Sequence, residues 1–284
     1  MPTPSLRILL KDNIHPDPEA MRLCIDAGIA HLAISLHLTA DNSMVGYEFY
    51  SFPDSRNNAA EMGSSLTESP LTVIRVGRVS VVYNTPDTVL VPDEIYRTDL
   101  VEAYMDSVHG DLTTGTNLLQ EQLSEEGMWN LYRTPLWIQQ ELNLRFRPAE
   151  FIHVHSGMLG SIRKKQEGLP DTCLHLWFYQ GFAVALLMKS SQVIFLQSIP
   201  YDIPEDLTYA VLNACDRYGM EPIDLPVLVS GLIDSDSVVY RELQRYFTSV
   251  EPDNGGVRFA QNDFFSSYPA HYFSPAFQLC ACVS

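Results

Sequence analysis

The chain has 284 residues, with 35 acidic against 18 basic side chains, a formal net charge of −17 and 46% hydrophobic residues. That mixture is too apolar for a disordered chain and too even for a fibre, and it is long enough for two modest domains or one large one. A surface of this sign repels phosphate backbones and anionic lipid, which argues against a nucleic-acid or membrane-surface role.

The expected elements run as follows. Residues 1–20, with Pro2, Pro4, Pro16 and Pro18, read as an irregular arm. Arg22 to Leu38 reads as two strands turning near Ala27-Gly28. Leu32, Ile34, Leu36 and Leu38 alternate with His31, Ala33, Ser35 and His37. Val45 to Phe52 alternates as a third strand after the turn chemistry of Asp41-Asn42, giving a three-stranded meander. A helix is expected over 54–69, started by Asp54 or Ser55 and presenting Ala59, Met62 and Leu66. Strands are expected at 72–83 and 87–91. A helix capped by Thr98 then runs to Val108, with Leu100, Tyr104 and Val108 on one face. Leu118–Leu123 and Met128–Tyr132 form a hairpin, Pro135 opens a helix to Arg147, and Phe151–His155 is a short strand. Ser156 caps the next helix, to Glu167.

The second half then opens as the first does. Cys173–Tyr179, Phe182–Met188 and Val193–Ile199 read as three strands joined by tight turns. A helix follows from Pro204 to Gly219, with Glu205 and Asp206 in its first turn, where the helix dipole favours acids. Leu225–Ser230 is an apolar strand of the buried parallel type. Asp234 or Asp236 caps a helix carrying Val239, Leu243 and Phe247, Val257–Ala260 is a last strand, and an aromatic tail from Phe264 packs on the body.

The longest apolar run, Phe182 to Met188, is far short of the ~20 residues that span a bilayer. The first twenty residues carry no apolar signal core, and the five cysteines (Cys24, Cys173, Cys215, Cys280, Cys282) have no framework spacing. The expectation is therefore a cytoplasmic chain with reduced thiols. Between Val79 and Glu126 there are ten acids and one base, Arg97. This stretch is either a solvated face or a docking face for a basic partner.

Both halves thus begin with three meander strands and a helix, then continue with further strands and helices. This wiring resembles the ribonuclease-H-like unit, and two such units in one chain resemble the actin, Hsp70 and sugar-kinase superfamily. The tail His271–Cys280 and the stretch Leu90-Val91-Pro92 are similar to a bacterial family of unknown function with the actin-like ATPase fold. The resemblance implies an α/β chain of two ribonuclease-H-like domains, each a mixed sheet with crossover helices, expected at 1–157 and 158–284. The tail is expected to reach back to the first domain.

The superfamily's nucleotide chemistry implies three features. A D-x-G turn, whose carboxylate orders magnesium waters, is matched by Asp26-Ala27-Gly28; the alternative is a plain hairpin turn with Gly28 at positive φ. The second half should repeat that turn, yet it offers Gly181 with no acid between Cys173 and Lys189. A glycine pair against the adenine is reduced to Gly231 in Val229-Ser230-Gly231-Leu232.

Other constellations are weaker. His153 and His155, two apart on an expected strand, have a metal-like spacing but no third ligand. Cys280 and Cys282 could bind a soft metal or redox-cycle, but with no second cysteine pair they read as buried or frayed thiols, and Asp234 and Asp236 could be an acid pair but read more simply as helix caps. Ser156 beside His155 lacks an orienting third group, and no Walker loop, G-x-S-x-G or H-E-x-x-H occurs. The reading is a catalytically silent actin-like protein, a pseudo-ATPase with no assigned cofactor, metal or catalytic residue. It takes a protein partner, in its interdomain cleft, as the assembly proteins of pilus and secretion systems do. The alternative is an ATP-binding phosphotransferase or ATPase using Mg-ATP at Asp26, Gly28, Gly181 and Gly231. A third reading is a homodimer paired through exposed strands.

Overall fold

The structure, a computed structural model, describes residues 3–10, 14–15, 17–52, 57–164, 170–260 and 267–282. These divide into two compact units. The first holds the described residues of Met1–Ser161, Arg258–Phe265 and Leu279–Ser284. The second holds those of Ile162–Val257 and Ser266–Gln278.

The first unit is built on a six-stranded sheet. Strands β2 (Met21–Gly28), β3 (His31–Leu38) and β4 (Met44–Ser51) form the antiparallel meander, and almost every residue in them is buried on both faces. Helix α1 (Asn58–Glu68) carries the chain to β5 (Arg78–Asn84), which lies parallel to β2, and β9 (Glu150–His153) lies parallel to β5. Parallel neighbours need such crossovers, because a tight turn cannot reverse twice. Strand β1 (Leu6–Leu9) completes the sheet by pairing antiparallel with β4. Between β5 and β9 the chain inserts β6 (Thr88–Pro92), α2 (Val101–His109), β7 (Thr116–Leu123), β8 (Met128–Pro135) and α3 (Leu136–Arg145). The three inserted strands make a separate sheet in the order β6-β8-β7. Helix α4 (Val154–Lys164) follows β9 directly.

In the second unit, β10 (Cys173–Tyr179), β11 (Phe182–Lys189) and β12 (Gln192–Pro200) repeat the meander. Helix α5 (Pro204–Arg217) leads to β13 (Val227–Gly231), parallel to β10. Helix α6 (Val238–Leu243) then leads to β14 (Val250–Pro252), parallel to β13. Asp206 accepts from the backbone N–H groups of Asp202 and Ile203, which anchors the start of α5. The tail ends in α7 (Ser274–Cys282). The orders β4-β3-β2-β5-β9 and β12-β11-β10-β13-β14 are one pattern drawn twice. Leu176, Phe178, Val227, Val229, Leu207 and Leu243 fill the core between the second sheet and its helices, each wholly buried side chain stabilising by about 1.5–3 kcal/mol.

Several expectations are corrected. The supposed arm contains β1, fixed by Arg7, whose guanidinium donates to Glu48 and, at 3.1 Å, to Tyr50 Oη. The strand expected from residue 72 starts at Arg78, after a turn. Helix α2 buries Met105, while Val108 is 60% exposed, so its inner face is rotated from the one expected. The helix after residue 153 starts at Val154 without a Ser156 cap, and α6 is capped by Ser237 rather than Asp234 or Asp236. Residues 257–260 contribute one bridge, Phe259 to Met44, and the last strand lies earlier, at β14. The helix start placed at Asp54 or Ser55, the helix end at Glu167 and the tail's Phe264 and Phe265 lie outside the described residues.

Candidate functional site

Open α/β sheets present ligands at the carboxyl ends of their parallel strands. In the first unit those ends are Asp26-Ala27-Gly28 on β2, Asn84 on β5 and His153 on β9. Asp26 is only 3% exposed. Its Oδ1 accepts from Asn84 Nδ2 at 3.0 Å and from His31 Nε2 at 3.3 Å. Donation to a carboxylate places the His31 proton on Nε2. The ring also lies parallel to Phe49, with centroids 5.9 Å apart.

The same imidazole explains Gly28. The glycine ends β2 in extended geometry, not at the positive φ of a hairpin turn; the turn itself is Ile29-Ala30. A Cβ at Gly28 would fall 2.2 Å from His31 Cε1 and 2.4 Å from Nδ1. The space that only glycine leaves open is filled by an internal side chain.

A second polar group lies at the end of β9. His153 donates from Nε2 to the Thr85 carbonyl at 3.0 Å and accepts the His155 backbone N–H on Nδ1 at 3.2 Å. It is therefore neutral, and burial takes its pKa down to about 4. Burial also holds His155 well below the usual range, with His153 adding to the effect. The two rings meet edge to face at 4.9 Å, but they do not share a strand face, because the strand ends at His153 and His155 belongs to α4. From the inserted sheet, the Tyr132 ring stacks on His153 at 4.5 Å and its hydroxyl donates to Glu121 at 2.6 Å. Burial raises the Glu121 pKa despite the hydroxyls of Ser156 and Tyr132, and it pushes Tyr83 up to about 12, with the Glu121 charge second. Ser156 accepts from Asn130 at 2.9 Å, a structural rather than nucleophilic setting. Among the described residues no three His, Cys, Asp or Glu side chains are grouped to hold a metal ion.

The second unit has the corresponding end with different residues. Tyr179 pairs with Phe182 across Gln180-Gly181, as Gly28 and His31 flank Ile29-Ala30, so the position of Asp26 is taken by Trp177, which is 1% exposed. Gly181 turns the chain at φ +79 with open space beside it. Gly231, at φ +83, serves close backbone packing: a Cβ there would stand 2.2 Å from the Phe178 carbonyl oxygen, which accepts from Leu232 N–H at 2.9 Å. Asp234 accepts the Tyr272 hydroxyl. Asp26 and Gly28 thus share one sheet end, and Gly181 and Gly231 share its counterpart in the second unit. His31 and Asn84, the partners that define the state of Asp26, were not singled out in the sequence. A two-residue turn after Gly28 sets His31 beside it, which is the signal that could have found the first of them.

Two sheets that share one five-strand order, each with an antiparallel meander followed by two parallel strands, define the actin-like ATPase fold. A crystal structure of a Bacteroides thetaiotaomicron protein with actin-like ATPase fold and unknown function is similar, with a TM-score of 0.72 at 13% identity, over 85% of this chain and 93% of that one. A structure described as the PilM–PilN type IV pilus biogenesis complex is similar with a TM-score of 0.54 at 12% identity, over 94% of this chain and 98% of that one. The family model described as "Protein of unknown function (DUF3822)" matches residues 12–250, and the chain belongs to that family. No curated protein matches the sequence.

Proposed function

We propose that this chain is an interaction module on an actin-like fold, a pseudo-ATPase that binds a protein partner and does not turn over ATP. The observation that carries this reading is the Asp26 carboxylate, buried and bonded to His31 and Asn84. Both hydrogen bonds land on Oδ1, each to a charged acceptor and contributing about 1.5–3 kcal/mol, so a magnesium water competing for that oxygen would have to displace one. A phosphate approaching the Gly28 backbone would also have to displace the His31 ring. Trp177 offers no ligand oxygen where a second carboxylate would be needed. These residues do not fit a magnesium–nucleotide complex.

The surface charge favours a basic partner. The insertion after β5 exposes Asp93, Glu94, Asp99, Glu102, Asp111 and Glu125. The likeness to a pilus biogenesis complex, in which proteins are bound to one another, supports a protein partner by analogy of fold. The test is affinity capture with the full chain from native lysate, with and without Mg-ATP and across a salt series. The expected result is a stoichiometric protein released by salt and indifferent to Mg-ATP. A partner that binds only with Mg-ATP, or nucleotide binding with no protein partner, overturns the reading.

A further inference from the structure

We propose that the outer edge of β12 is a self-association surface, on which a second copy of this chain pairs its own β12 in antiparallel register. The observation behind it is an asymmetry between the two meanders. In the first unit β1 covers the edge of β4, whereas among the described residues β12, which holds the place of β4, borders only β11. The two meanders share one register. His31 faces Ser51 as Phe182 faces Pro200, and both pairings slip further on, between Leu36 and His37 and between Leu187 and Met188. Val45 therefore corresponds to Ile194, and Tyr47 to Leu196. The phase of the ladder matches too: Phe52 N–H donates to the Ala30 carbonyl at 2.7 Å, and Tyr201 N–H to the Gly181 carbonyl at 3.0 Å. Antiparallel ladders alternate, so Gly46, Glu48 and Tyr50 bond to β3, while Val45 and Tyr47 direct their backbone groups to the outer edge. There the Val45 carbonyl accepts the Leu10 N–H at 2.9 Å. By the same count Ile194 and Leu196 present their N–H and C=O groups at the edge of β12. The slip in register is no obstacle, since β1 pairs with β4 right up to it, Leu9 facing Gly46.

Sheet edges are ordinarily blunted by short strands or by charges. The edge strand of the first sheet follows that rule: β1 is four residues long and carries Arg7. Strand β12 does not, being nine residues long within a stretch, Ser190 to Tyr201, that has no charged side chain. This absence of charge selects the occupant. A basic segment is drawn to the acidic insertion of the first unit and finds nothing to attract it here. Two copies of a chain at −17 repel each other, and they approach at least cost where neither carries charge. An antiparallel strand pair is also its own mate under a two-fold axis, the symmetry of most protein dimers. With the axis at Phe195, Ile194 of each copy lies opposite Leu196 of the other, and the two exchange N–H···O=C bonds in both directions. The same axis sets the two half-buried Phe195 residues side by side as an aromatic cross-strand pair.

The test is sedimentation velocity of the full chain over a micromolar concentration series, with hydrogen–deuterium exchange at both ends of the series. The expected result is a monomer–dimer equilibrium in which the Ile194 and Leu196 amides exchange more slowly as dimer fills, while β1 and β4 do not change. Leu196→Pro removes an edge N–H and leaves the ladder to β11 intact, because Leu196 and its opposite number Leu186 are a pair that exchanges no hydrogen bond. It should weaken dimerisation about tenfold or more, since each copy loses a bond to the other. Leu196→Ala keeps the N–H and should weaken it much less. If the proline variant does not fold, the concentration dependence of wild-type exchange decides alone. A monomer throughout the series overturns the proposal. So does β12 exchange that is slow at every concentration, which means that the chain covers its own edge, or a dimer in which β12 exchanges freely, or a folded Leu196→Pro variant that dimerises as tightly as wild type. Dimerisation needs no further protein, so its failure leaves the partner-binding reading untouched.

Discussion

Replacing Gly28 with alanine tests whether the D-x-G segment is packed against His31. The glycine's φ is an ordinary one, so alanine brings no backbone strain and a gain of about 0.4–1 kcal/mol from the stiffer unfolded chain. Against that, its Cβ would lie 2.2 Å from a ring that is 1% exposed and cannot swing into solvent without leaving Asp26. Overpacking of this kind costs about 1–3 kcal/mol, and losing a hydrogen bond to a charged group about 1.5–3 kcal/mol. The net expectation is a loss of about 3 kcal/mol, roughly a hundredfold in the local folding constant. In a His31→Ala background only the 3.0 Å approach to the Asn84 carbonyl oxygen is left, and the same Gly28→Ala change costs much less. Urea unfolding followed by far-ultraviolet circular dichroism, with amide exchange on β2 and β3 to localise the effect, measures the cycle. If Gly28→Ala costs the same in both backgrounds, His31 is not what the glycine accommodates and the reasoning fails.

The other two glycines of the site should rank by their surroundings. Gly181→Ala loses about 1–2 kcal/mol for its left-handed backbone alone, whereas Gly231→Ala adds a clash with the Phe178 main chain that no second substitution relieves; thermal melts of the pair give the order. The pH dependence follows from His153, whose pKa is about 4 when folded and ~6.5 when unfolded. Below pH 6.5 the unfolded chain takes up the proton and the folded one does not. Stability is therefore complete above that pH and falls by up to about 3 kcal/mol as pH drops towards 4, His155 adding in the same direction. Denaturant titrations at stepped pH should show this slope, and His153→Gln should flatten it. Arg7→Met leaves the buried Glu48 carboxylate with only the Tyr50 and Ser69 hydroxyls and should cost about 2 kcal/mol, with faster amide exchange in β1.

The doubled meander was legible because its signals are local. Period-two alternation, the Gln180-Gly181 turn and the Pro204 start each lie within a few residues of what they determine. Strand β1 was not, since four residues give only two per face, and its pairing with β4 is decided by Glu48, far along the chain. The change from strand to helix between His153 and Val154 has no proline, glycine or cap to mark it, so the two histidines read as one strand face. Asp26 and Gly28 were found as a motif, but their state depends on register, which brings in His31, and on the final residue of β5, Asn84.

The most direct measurement on the central claim is calorimetric titration of the full chain with Mg-ATP, in parallel with Asp26→Ala. The account predicts no saturable heat for either protein. A micromolar isotherm for wild type that disappears in Asp26→Ala would show that the Asp26 carboxylate is free to serve magnesium, and would contradict it.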